Sequence, residues 1–174
     1  MLIGVISDTH GRIDRVLQAL QRYPIRQFLF LGDFYHDGIK LMQKLGIPGC
    51  AVAGNCDHMP EEKLKEAVIE IEGVRFFLTH GHTWGVKQGT ARLQEYASTA
   101  RNDVVLFGHT HRSYLKQEEG FWLMNPGSAA ISRNQEDPSI GLIEISLNQI
   151  EFSILSVLDH SLINGNVAQR RPVS

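Results

Sequence analysis

The stretch VVLFGHTH, residues 104–111, decides the reading of the fold. Val104, Val105, Leu106 and Phe107 form a short apolar run that ends at once in a glycine and two histidines, one residue apart. A run that is apolar at successive positions fits a strand covered on both faces. His109 and His111 then stand just beyond its carboxyl end, on a loop.

The same arrangement recurs along the chain. LIGVIS (2–7) is followed by Asp8 and His10, FLFLG (28–32) by Asp33, GCAVAG (49–54) by Asn55 and Asp57, and VRFFLT (74–79) by His80 and His82. Helical patterns lie between some of these runs. Within 12–23, Ile13, Val16, Leu17 and Leu20 share one helix face. Ile39, Leu41, Met42 and Leu45 predict a second helix, stopped by Gly46 and Pro48. Residues 61–67, after Pro60, read as a short third. Residues 87–100 read as a further helix, with Leu93, Tyr96, Ala97 and Ala100 inward.

The second half changes character. Residues 69–79 read as a hairpin turning at Glu72-Gly73, and SYLKQ (113–117) and FWLMN (121–125) as another around EEG. GLIEISL (141–147) and IEFSIL (150–155) predict a third, meeting at Asn148-Gln149. The chain thus opens as βαβαβ and closes in antiparallel strands, which suits an α/β fold of two packed sheets with helices outside. A single domain is expected over 1–159. The polar segment 160–174, which carries Arg170-Arg171, reads as a loose tail or an arm reaching a neighbouring subunit.

Composition narrows the function classes. The 174 residues carry 17 basic and 19 acidic groups, a formal net charge of −2, without a basic stripe, so binding to a nucleic-acid duplex is not expected. Cys50 and Cys56 form no disulfide framework, which points to a reduced setting. The N-terminus MLIGVISDTHG lacks a signal-peptide pattern, and no apolar run reaches the ~18–20 residues that span a bilayer. A soluble cytoplasmic protein, without a membrane partner, is the expectation.

In open α/β sheets, sites form at the carboxyl ends of strands. Parallel strands would carry the five loops to one edge, and five of the eight histidines lie in them. Each piece alone has an ordinary explanation: Asp-x-His and Gly-Asp occur in turns, Asn55 suits a turn after Gly54, and His-x-His occurs on surfaces. Jointly, five strand ends carrying nitrogen and oxygen ligands call for metal. Asp8, His10, Asp33, Asn55, His80, His109 and His111 make seven candidate ligands. One structural zinc needs four, usually with thiolates. Seven ligands sharing one carboxylate bridge give four to each of two ions. Imidazole and carboxylate without sulfur suit Mn²⁺, Fe²⁺, Zn²⁺ or Ni²⁺. Two such ions ~3.5–4 Å apart clamp a phosphate and hold a hydroxide between them.

SDTHG (7–11), GD (32–33), GNCD (54–57), HGH (80–82) and GHTH (108–111) resemble the motifs of the calcineurin-like metallophosphoesterases, in order. The short length and NPGS (125–128) are similar to the small YfcE-type phosphodiesterases. The resemblance spans about residues 1–155. It implies a four-layer αββα sandwich of two mixed sheets flanked by helices. It implies one metal held by Asp8, His10, Asp33 and His111, and another by Asp33, Asn55, His80 and His109, with Asp33 bridging and Mn²⁺ the first expectation. Asp33, Asn55 and His82 are implied at the reacting centre; His82 either supports a ligand or touches substrate. A homo-oligomer is expected by family analogy.

Many relatives have a histidine after the Asn of the GN motif, held to protonate the leaving group or bind phosphate. Here Cys56 stands there, a poor general acid near neutral pH. Asp57 either orients a ligand such as His10 or stabilises a turn.

The expected function is a metal-dependent phosphodiesterase acting on small phosphoesters. Two alternatives stay open. One is a non-catalytic protein-binding scaffold, as in the retromer subunit that shares this fold. The other is a nucleotide-specific enzyme, with Phe34, Tyr35 and Trp84 either stacking on a base or walling the cleft. His36 and His58 read as surface or substrate-side residues, and Met42, Met59 and Met124 as packing. Arg12 and Arg133 either reach a phosphate or are solvated.

Overall fold

A computed structural model describes residues 1–58, 64–130 and 136–170. In chain order the elements are β1 (Leu2–Ile6), α1 (Ile13–Leu20), β2 (Gln27–Phe30), α2 (Tyr35–Leu45), β3 (Gly49–Ala51), β4 (Glu66–Ile71) and β5 (Val74–Thr79). A short 3₁₀ turn follows at His82–Trp84, then α3 (Ala91–Ala100), β6 (Val104–Leu106), β7 (Ser113–Glu118), β8 (Phe121–Pro126), β9 (Ser139–Ile145), β10 (Gln149–Ser156) and β11 (Leu162–Gln169).

The strands form two mixed sheets, ordered β11-β10-β9-β1-β2-β3 and β4-β5-β6-β8-β7. In the first, β1, β2 and β3 run parallel; in the second, β5 runs parallel to β6 and β6 to β8. Consecutive apolar residues are needed because both faces of these strands are covered. On β5, Phe76 and Leu78 point between the sheets, into a core with Ile3, Val5, Leu29, Leu31 and Met124. Phe77, between them, points outward onto Leu93 and Ala97 of α3. On β2, Phe28 and Phe30 face Val16, Leu20 and Leu41 of α1 and α2. The result is helix, sheet, sheet, helix: the αββα sandwich expected from the sequence.

Three differences have physical reasons. Residues 66–67, expected to be helical, begin β4, where Ala67, Ile69 and Ile71 alternate with Glu66, Val68 and Glu70 and pair with β5; the rest of that expectation falls partly outside the described residues. Residues 162–169 are not a loose tail. They form β11, paired antiparallel with β10 through backbone groups while nearly every side chain faces solvent. The last hairpin turns one residue earlier than expected, with Ser146 N–H bonded to the Gln149 carbonyl at 3.0 Å.

The other boundaries follow local chemistry. Gly46, in the left-handed conformation, ends α2. Glu72 and Gly73, both at positive φ, make the turn between β4 and β5. Among the described residues, no helix is long and apolar enough to cross a membrane.

Candidate metal centre

The carboxyl ends of β1, β2, β3, β5 and β6 lie together at one edge of the sandwich, and their loops bring the candidate ligands to one place. Oδ1 of Asp8 is 3.1 Å from Nε2 of His111 and 4.0 Å from Nε2 of His80. Oδ2 of Asp33 is 2.8 Å from Nδ1 of His10, and its Oδ1 is 3.9 Å from Nε2 of His80. Two groups have ligand atoms all within 4.8 Å of one another: Asp8, His10 and His111, and Asp8, Asp33 and His80. Asn55 Oδ1 is 3.0 Å from His80 Nε2. The His109 ring stands 5.0 Å from that of His80, and the His82 ring 5.4 Å from His80 and 6.1 Å from His109.

These atoms suit a cation. Asp8 and Asp33 are 0% and 2% exposed, and burying two carboxylates costs several kcal/mol each unless charge compensates. The oxygens that face the cluster, Asp8 Oδ1 and Asp33 Oδ2, meet the imidazole nitrogens of His111 and His10 there, groups that can ligate metal as well as donate a proton. His80 Nδ1 lies 2.7 Å from the Leu31 carbonyl, so it carries the proton and donates. Its Nε2 faces the Asn55 carbonyl oxygen at 3.0 Å, and a metal ion could take both atoms as ligands. Nε2 of His10 and Nε2 of His111 likewise approach to 3.3 Å.

The protonation balance favours ligation. Burial works to raise the Asp8 pKa, but hydrogen bonds from His111 and Ser7 and the charge near His80 overcome it, and the carboxyl lies below its ordinary range. Burial, with His80 and Lys87 nearby, pushes the His109 imidazole down to about 4. Burial, His80 and Lys65 lower His82 as well. Cys56 moves the other way: burial and the Asp33 carboxylate push its thiol up to about 11.

The loops are held in unusual shapes. Asp8, His10, Asp33, His109 and His111 all have positive φ, at 54°, 46°, 88°, 67° and 60°. Asp and His tolerate this region better than most residues, and such strain gathers at functional sites. Close backbone approach completes the frame. A Cβ on Gly54 would collide with the Asp33 backbone, and one on Gly108 with the Ser7 hydroxyl.

Supporting residues carry roles that sequence spacing does not reveal. Ser7 Oγ donates to Asp8 Oδ2 at 2.6 Å, and the His109 N–H donates to the same oxygen at 3.0 Å. Ser128 Oγ donates to the Asp8 carbonyl at 2.8 Å. Asn125 Nδ2 holds the Gly108 carbonyl at 2.9 Å. These last two give NPGS a function as the brace behind the Asp8 and His109 loops. Asp37, buried at the start of α2, accepts from Thr9 Oγ1 and the Gly11 N–H, both at 2.7 Å. Asp57 accepts from the Gly54 N–H at 2.9 Å and from the Tyr35 N–H at 2.9 and 3.0 Å, so it ties the GN loop to the N-terminus of α2.

The aromatic candidates separate. Trp84 packs with Phe77 and Tyr96, and its Nε1 donates to Glu66 at 2.6 Å. Tyr35 packs against the α1–α2 core. Phe34 is 38% exposed with its edge to His10, so of the three it borders the centre. His36 is exposed beside Tyr35, and His58 is exposed on the GN loop. Met124 and Met42 are packing residues. Arg12 is exposed, while Met59, Arg133 and Arg171 lie outside the described residues.

The profile of the calcineurin-like phosphoesterase superfamily domain matches residues 1–148. The chain belongs to that superfamily. The metal-dependent phosphoesterase expected from the sequence agrees with this membership. A probable metallophosphoesterase of Methanothermobacter thermautotrophicus is 31% identical over 160 residues, covering 89% of this chain and 92% of the relative. Phosphodiesterase YfcE of Escherichia coli is 29% identical over 187 aligned residues, covering 94% and 96%. The structure of that YfcE superposes with a TM-score of 0.74 at 25% identity, covering 95% and 98% of the two chains. Zinc-complexed Vps29 of Entamoeba histolytica gives 0.74 at 26% identity, covering 97% and 99%.

Proposed function

We propose that this chain is a phosphodiesterase working through a binuclear centre, with Mn²⁺ as its ions. One is held by Asp8, His10, Asp33 and His111, the other by Asp33, Asn55, His80 and His109. The observation that carries this reading is the reach of Asp33, whose Oδ2 lies 2.8 Å from Nδ1 of His10 and whose Oδ1 lies 3.9 Å from Nε2 of His80.

Bound there, the two cations would supply positive charge to the phosphoryl oxygens and lower the pKa of a water that attacks phosphorus. The chain's own part is positional and electrostatic. Asp8 and Asp33 supply the negative charge, and the Leu31 carbonyl fixes His80 in the tautomer that ligates through Nε2. His109, with its depressed pKa, is neutral at pH 7. His82, lowered toward its neutral form by burial and by His80, would donate an N–H to a phosphoryl oxygen. Cys56, its thiol pushed up to about 11, is a weak proton donor at neutral pH. Esters whose leaving groups need no protonation are therefore the preferred substrates.

The test is hydrolysis of bis(p-nitrophenyl) phosphate by purified protein with Mn²⁺, together with metal content. Wild type should turn over and bind two equivalents of metal; Asp33→Ala should lose at least about a hundredfold in kcat/KM and retain less metal. A wild type that binds metal without turnover, as a scaffold would, ends this proposal. So does equal turnover in the two proteins.

A further inference from the structure

Beside the metal centre lies a cavity of about 770 Å³ lined by Val86, Lys87, Phe107, Thr110, Arg112 and Tyr114. That is within the ~300–1,000 Å³ range of small-molecule sites. Its walls come from the two loops that carry ligand histidines. The loop after β5 presents His80 and His82 and then turns Val86 and Lys87 into the cavity. In the loop after β6, His109 and His111 alternate with Thr110 and Arg112, which line it. The cavity therefore adjoins the centre across these two loops.

The lining has two characters. Phe107 and Tyr114 pack edge to face with centroids 5.9 Å apart, and with Val86 they make an apolar, partly aromatic wall. Around it stand hydrogen-bonding groups: the exposed Lys87 ammonium, the Gln88 amide, the Arg112 guanidinium and the Glu136 carboxylate. Glu136 also accepts the Ser113 N–H at 3.2 Å, which fixes it at the rim. A half-buried aromatic ring, that of Tyr114, set among hydrogen-bonding groups suits a flat group with polar edges, not a plain alkyl chain.

We propose that this cavity seats the second ester group of a phosphodiester substrate, a flat, hydrogen-bonding group of nucleoside size, and that Lys87 selects it. This rests on the phosphodiesterase reading above. A phosphodiester attacked at the centre carries one ester group away as the leaving group; the other needs a seat, and the adjoining cavity supplies one. Lys87 is a specificity residue here and takes no part in the reaction at phosphorus.

The experiment compares two substrates with the same p-nitrophenolate leaving group: the p-nitrophenyl ester of thymidine 5′-phosphate, and methyl p-nitrophenyl phosphate. Wild type should prefer the thymidine ester. Lys87→Glu should lower kcat/KM for the thymidine ester by about tenfold, through KM, because a carboxylate cannot donate the hydrogen bond that the Lys87 ammonium gives to a carbonyl of the base. The same variant should leave the methyl ester within about twofold. An equal effect on both esters, or less than about a twofold effect on the thymidine ester, overturns the proposal. Binding is read separately, as saturation-transfer NMR of thymidine 5′-phosphate with wild type and Lys87→Glu. If neither diester is hydrolysed, the phosphodiesterase reading falls, and the binding measurement alone judges the cavity. Thymidine 5′-phosphate contact weakened by Lys87→Glu upholds it; no contact, or contact indifferent to the variant, overturns it.

Discussion

Replacing Gly54 by alanine tests how the centre keeps its geometry. The added Cβ would overlap the N and Cα atoms of Asp33 and lie 3.1 Å from Cδ2 of His80. Ordinary carbon contacts start near ~3.5 Å, so the Asp33 backbone would have to retreat by about 1 Å. It cannot do so freely, because Phe30 and Leu31 just before it are fully buried. Overpacking of this kind costs ~1–3 kcal/mol. The chemical cost is larger, since metal–ligand distances tolerate only ~0.2 Å and a misplacement of ~1 Å costs about a hundredfold in rate. Gly54→Ala should therefore lose about 1–3 kcal/mol in urea unfolding with chelator present, and about a hundredfold in kcat/KM on bis(p-nitrophenyl) phosphate. Gly46→Ala is the control. Gly46 sits at φ 67° with nothing within 4 Å of an added Cβ, so its variant should lose only about 1 kcal/mol and keep full turnover. If Gly54→Ala keeps wild-type metal content and turns over within about twofold of wild type, the close-approach argument is wrong.

Three other outcomes are expected. Ser7→Ala removes the hydroxyl from Asp8 Oδ2 and should weaken Mn²⁺ binding about 10–100-fold by titration calorimetry, while the fold stays intact by circular dichroism. Cys56→Ala should change turnover of the activated diester by less than about twofold, because a thiol pushed up to about 11 protonates little; a loss near a hundredfold would give the thiol a direct role. In metal-free protein, His109 has a folded pKa of about 4, below the ordinary value of 6.5. The unfolded chain thus takes up a proton first, and stability should fall as pH drops from about 6.5 toward 4. His109→Asn should flatten that part of a pH series of urea midpoints.

The clustering of the candidate ligands was legible because their side chains are concentrated where apolar runs stop. Asp8, His10, Asp33, His80, His109 and His111 each follow a strand within a few residues, and parallel pairing gathers those ends. The supporting residues left no such trace. Asp37 meets Thr9 across 28 positions, and Ser128 meets Asp8 across 120, distances over which residue spacing carries no signal. The strand Leu162–Gln169 was missed for a different reason. Its sequence, LINGNVAQ, has no inward apolar face, since backbone pairing with β10 holds it while its side chains meet water. The start of β4 was read as helix because Glu66 and Ala67 are good helix formers; the alternation that sets it as strand shows only when taken through Ile71.

The candidate ligands divide between the two sheets. Asp8, Asp33 and Asn55 follow strands of one, and His80, His109 and His111 follow strands of the other. Cations gripped by both sets would act as rivets through the sandwich, joining layers whose shared interior is apolar. Stripping them with a chelator should then loosen one rim of the seam first, and amide exchange there should quicken while the opposite rim stays closed.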